Sequence, residues 1–203
     1  MKKTTLIAIV LCLSFSLTFS GRADSADPKL EAQARQALLA FKNKDGAALA
    51  KLVNPEQGLR FTAYAWDDLE QSVVLKGKEL SGMYVSKKKY VWGVYDGSGD
   101  PISLTPAQYA KKFLWTADFT KVADKESGTL ADYLKNRFSY IAGGSTGQLI
   151  LERYPNARVF HYHFPGVSGP EGGAMDWSSL ILIFVPAGSE WFLAGVVHNE
   201  WTI

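Results

Sequence analysis

Residues 179–201 read SLILIFVPAGSEWFLAGVVHNEW. Two apolar runs of strand length flank Pro186-Ala187-Gly188-Ser189-Glu190, a loop of hairpin length, so the stretch predicts two long antiparallel strands. A third run, ARVFHYHF at 157–164, precedes them and joins the same meander. Upstream the pattern is helical. Asp27-Pro28 places an acid at a helix cap and proline at the first turn, and Leu30, Ala34, Ala37, Leu38 and Phe41 then recur at intervals of three and four. A second short helix is expected over 47–53, ending before Asn54-Pro55.

Between these ends the signals alternate. Residues 58–65 and 90–95 read as strands, the latter turning through DGSGDP toward Ile102–Leu104. Thr105-Pro106-Ala107-Gln108 is a capping box that predicts a helix through Tyr109, Phe113 and Leu114, and 129–137 predicts another. Residues 66–89 give no clear pattern. Helices first and antiparallel strands last, without β-α-β alternation, predict an α+β domain with N-terminal helices packed on one face of a strongly curved antiparallel sheet. Residues 27–203 are expected to form it as a single domain, since no repeat, linker or composition break divides them.

The first 23 residues read as an address and not as part of the fold. Lys2 and Lys3 precede an apolar run to Phe19, and Gly21 and Ala23 offer small residues for cleavage, the pattern of a signal peptide. That run is short of the ~20 apolar residues a membrane-spanning helix needs. The chain is therefore expected to be exported, periplasmic or secreted, with no membrane span after cleavage. Its single cysteine, Cys12, lies inside the leader, so no intrachain disulfide can form. The formal charge of +2 also belongs largely to the leader. Without Lys2, Lys3 and Arg22 the balance is 19 basic against 20 acidic residues, which gives no reason to expect nucleic acid as a partner.

The order of these elements resembles the nuclear transport factor 2-like (cystatin-like α+β cone) superfamily across residues 27–203. The likeness rests on a long first helix, a short second one, a strand after NPEQGLRF, and the terminal meander ending WFLAGVVHNEWTI. The segments KYVWGVYDGSGDPISLTPAQY, YPNARVFHYHFPG and MDWSSLILIF are similar to uncharacterised exported bacterial proteins. The resemblance implies a cone with a pocket and a homodimer through the outer sheet face. It does not imply a reaction, because the superfamily holds isomerases, dehydratases and cyclases beside binding modules.

Three sets of residues carry candidate chemistry. Gly143, Ser145 and Gly147 spell the nucleophile-elbow pattern of serine hydrolases, with Asp176 and His198 following in triad order. An elbow requires a parallel sheet with β-α units around it, which this chain lacks the helices to build, so Ser145 or Thr146 reads better as the cap of a short helix. The second set is histidine. His161 and His163 share one face of a strand, about 7 Å apart at two residues' rise. With His198 they offer a three-histidine metal site, and His163, His198 and Asp176 offer acid/base catalysis, with Glu200 two residues beyond His198 as its orienting partner. The plainer alternative is structural or pocket-lining use, with no metal and no cofactor. The third set is aromatic: Trp66, Tyr84, Trp92, Tyr95 and Trp177 are candidates to line a ligand cavity. The sequence thus favours an exported module binding a small molecule or an envelope protein, with a pocket enzyme as the alternative.

Overall fold

The computed structural model describes residues 27–64, 72–138, 143, 145–167 and 175–202, with the side chains of Ser145 and Thr146 outside that description. The expected leader and the candidate Trp66 lie outside the described residues.

Helix α1 (Pro28–Lys42) starts where the Asp27 side chain accepts a hydrogen bond from the Lys29 amide at 2.9 Å, and its stripe of Leu30, Ala34, Ala37, Leu38, Ala40 and Phe41 is buried. Helix α2 (Gly46–Leu52) is capped in the same way by Asp45, which accepts from the Ala48 amide at 2.8 Å. Its first residue has to be glycine. A Cβ at Gly46 would lie 2.5 Å from the Ser81 carbonyl oxygen, at the end of α3 (Gly77–Ser81), so two backbones meet there directly.

The strands β1 (Leu59–Thr62), β2 (Val73–Leu75), β5 (Asp124–Thr129), β6 (Arg158–Phe164), β7 (Ser178–Ala187) and β8 (Glu190–Glu200) form one sheet in the order β2-β1-β8-β7-β6-β5. Strands β3 (Tyr90–Val94) and β4 (Pro101–Leu104) pair as a separate hairpin. The β6-β7-β8 meander follows the sequence expectation, and Ala187 pairs with Glu190 across a two-residue loop whose Gly188 takes a positive φ of 62°.

Two expectations are corrected. The sheet is mixed and not purely antiparallel: β1 runs parallel to β8, pairing Phe61 with Val196 and Thr62 with Val197. Periodicity identifies a strand, but the direction of a partner 135 positions away along the chain is not a local property. Helices also cover both faces of the sheet and not one. Eight of the ten β7 residues are buried because its alternate side chains enter two separate cores. Leu180, Leu182 and Phe184 pack with Phe41, Phe61, Trp92 and Phe113 on the first face, which α1 and α2 cover. Ile181, Ile183 and Val185 pack on the second face with Leu130, Tyr133 and Leu134 of α5 (Leu130–Arg137) and Ile150 of α6 (Ser145–Arg153). The unbroken run LILIFV is thus the signature of a strand covered on both sides. The chain is α+β, and among the described residues its sheet is open, ending at β2 and β5.

On the first face, α4 (Pro106–Tyr109) begins with the expected capping box at Thr105 and Gln108. It then widens into a π-helical turn, Ala110–Leu114, closed by the Trp115 amide donating to the Ala110 carbonyl at 2.9 Å. That widening turns Phe113 and Leu114 into the core while Lys111 and Lys112 stay exposed.

Candidate functional site

Register decides where the histidines go. His161 pairs with Ile181 and His163 with Ser179, while His198 pairs with Leu180. Ile181 belongs to the second core and Leu180 to the first, so His161 and His163 point to one face and His198 to the other. The sheet separates them. His163 and His198 therefore cannot share a metal ion or a proton relay. The Asp176 carboxylate accepts from the Val167 amide at 3.0 and 3.3 Å, the only hydrogen bond it makes among the described residues. His163 places Nδ1 2.9 Å from the Ser179 hydroxyl, with the candidate Trp177 ring at 5.8 Å. Helix α6 starts at Ser145, whose side chain lies outside the described residues, as does the cap expected of it.

The second face holds a charge cluster that sequence reading passed over. Arg137 of α5 donates to both Glu126 carboxylate oxygens on β5, through Nε at 3.1 and 3.2 Å and Nη2 at 2.8 Å. His161, 6% exposed, lies beneath with Nδ1 3.7 Å from Glu126, and Tyr133 covers its ring at 5.5 Å. Burial holds the His161 imidazole down at about 4, with Glu126 opposing and Arg137 and His163 reinforcing. It is a neutral side chain at pH 7, sealed into the core.

The first face arranges its residues differently. His198 is 0% exposed, and its Nε2 lies 3.2 Å from the Glu200 carboxylate, whose side chain is 29% exposed. Neither ring nitrogen has an aligned hydrogen-bond partner among the described residues. A strand puts residues i and i+2 on one face, so this neighbourhood follows from the sequence H-N-E. Above the imidazole stands an aromatic wall. Phe113 meets His198 edge-on at 5.7 Å and Tyr64 at 5.6 Å, and it tilts against Tyr109 at 5.1 Å. Tyr109 in turn stacks on Trp92 at 3.9 Å, with 14° between the ring planes. Trp92 is buried and donates its indole N–H to the Leu104 carbonyl at 2.9 Å, so this candidate lines the core and not an open cavity.

Tyr95, by contrast, is only half-buried. The Lys112 ammonium sits 5.2 Å above its ring and 5.6 Å from that of Phe113. Tyr64 stands beside this pair, edge-on to Phe113. Burial raises its phenol pKa first, and the charges of Glu200 and Asp96 add to that rise, while a hydrogen bond to the Asp96 backbone opposes it. Tyr64, Lys112 and Phe113 were legible only as strand or helix positions. A π-helical turn and a loop bring them together, and neither leaves a periodic mark in the sequence.

A concavity of about 350 Å³, open to solvent, lies between the α1–α2 corner and α3. Tyr84 lines it, and its buried hydroxyl has no hydrogen-bond partner among the described residues. No protein-family model, curated protein or solved structure matches this chain.

Proposed function

We propose that this chain is an exported binding module that takes a small molecule at the mouth formed by Tyr64, Tyr95, Lys112 and Glu200. One observation carries the reading: a partly exposed carboxylate is backed, at 3.2 Å, by a wholly buried imidazole at the foot of an aromatic wall. Burying a ring with two polar nitrogens costs stability unless the group is paired. Here the pairing is incomplete, so the accessible carboxylate in front of the imidazole keeps bonding capacity for a visitor. Aromatic rims with a few convergent polar groups are what small-ligand sites have in common.

Catalysis by His163, His198 and Asp176 would need all three in one place, and the sheet stands between the two histidines. The leader pattern supports export. The likeness to the cone superfamily belongs to the same proposal: the order of the first two helices and the terminal meander supports it. Helical cover on both faces and the parallel β1–β8 pair count against it. A thermal-shift screen of sugars, amines and amino acids tests the binding reading. A hit should be lost in both Tyr64→Phe and Glu200→Gln. Hits that survive both substitutions would move the site elsewhere, with the α1–α3 groove the next place to look.

A further inference from the structure

We infer that the ligand of this mouth is an organic cation, a primary ammonium or guanidinium carried by a small molecule. The inference rests on the reading of the mouth as a binding site and names the ligand's chemistry. The mouth already holds a cation of its own. The Lys112 ammonium lies over the Tyr95 ring at 5.2 Å and near the Phe113 ring at 5.6 Å, inside the range where a ring's negative face attracts positive charge. Lys112 is exposed and carries its ammonium on a flexible four-carbon stem, so it can swing into solvent and yield its position to a competitor.

The fixed charges around it agree in sign. Asp96 and Glu200 both press a negative field onto Tyr64, one from the β3–β4 turn and one from the end of β8. Two carboxylates and the partly exposed ring of Tyr95 favour a positive ligand over a neutral or anionic one. Glu200 is also free in a way that Glu126 is not. Its only ionic contact among the described residues is His198, a side chain with no exposed surface and no aligned hydrogen bond. A visiting ammonium would give the carboxylate a charge-assisted hydrogen bond that His198 does not supply in this geometry. Recognition therefore consists of Glu200 for the charge and Tyr95 and Tyr64 for the flanks.

The probes are three of similar size and different charge: n-butylammonium, n-butanol and butyrate, titrated by two-dimensional NMR at constant ionic strength. Butylammonium should shift the amides of Asp96, Lys112 and Glu200 saturably, and the other two should not. Glu200→Gln should weaken that binding. Lys112→Met removes the internal competitor and should tighten it, by about two- to fivefold for the loss of one exposed cation–π contact. The two variants have opposite predicted signs, so general damage to the fold cannot mimic the result. Butanol or butyrate binding at these amides as well as butylammonium would overturn the cation and leave the binding site standing. No saturable shift at these amides with any probe, in either the wild type or Lys112→Met, would sink both.

Discussion

At the same end of the sheet, each face carries a histidine beside a glutamate, and the two pairs are built in opposite senses. On the second face Arg137 takes both oxygens of Glu126, and the buried His161 is left at 3.7 Å, outside hydrogen-bond reach. On the first face the described residues give Glu200 no such cation, and its carboxylate lies 3.2 Å from His198 and partly open to solvent. The difference teaches where to look for function. A carboxylate already claimed by a fork of guanidinium donors is structural, whereas one backed by an unaligned imidazole still has bonding capacity to offer.

The largest expected effect breaks the first face. Phe113 is wholly buried and touches Tyr64, Tyr109 and His198. Phe113→Ala should destabilise the protein by ~3–5 kcal/mol in chemical denaturation, as large-to-small changes of a buried aromatic do. A loss under 1 kcal/mol would mean that the wall is not a core.

The second face should respond to acid. The His161 pKa is held at about 4 in the fold, below its ordinary value of ~6.5, so folding favours the neutral ring. The stability this contributes is fully present above pH 6.5 and is lost as pH falls through the folded value, up to about 3 kcal/mol in all. The charged and titratable groups around the ring are Glu126 and Asp124 on β5, Arg137 and Tyr133 on α5, and His163 on its own strand. Denaturation curves at pH 7.5 and 4.5 should therefore diverge in the wild type and converge in His161→Phe. Equal divergence in the two would assign the acid sensitivity elsewhere.

How much of this was legible in the sequence depends on how far each feature lies from its partners. The α1 stripe, the Thr105 capping box and the β7–β8 hairpin were all readable, because each is set by residues within a few positions. The shared face of His161 and His163 was readable for the same reason, as was the neighbourhood of His198 and Glu200. The opposition of His163 to His198 was not. It depends on the register that sets Leu180 against His198 and Ser179 against His163, and a slip of one residue would send His198 to the other face. Strand β5, sequence DKESGT, carries the charge and small residues of a protected sheet edge and so resembles a loop. The Arg137–Glu126 fork could not be foreseen without that strand.

A smaller effect sharpens the contrast on the closed side. Arg137 and Glu126 are partly exposed, so Arg137→Ala should cost only ~0.5–1 kcal/mol at pH 7.5. It should also weaken the acid response. Arg137 is among the charges that hold His161 down, and without it Glu126 is free to face the imidazole. The stability gap between pH 7.5 and 4.5 should narrow relative to the wild type, and a wider gap would reverse the assigned role of Arg137.

The smallest effect belongs to the open side. Glu200→Gln keeps the shape of the side chain and removes a charge that no arginine or lysine among the described residues pairs with, so stability should change by less than ~0.5 kcal/mol. Combining it with Arg137→Ala should be additive within ~0.5 kcal/mol, because the two sites face opposite sides of the sheet and share no partner. If Glu200→Gln instead cost as much as Arg137→Ala, its carboxylate would be working for the fold. The two His–Glu pairs would then be alike, and the case for the first face as the binding face would lose its basis.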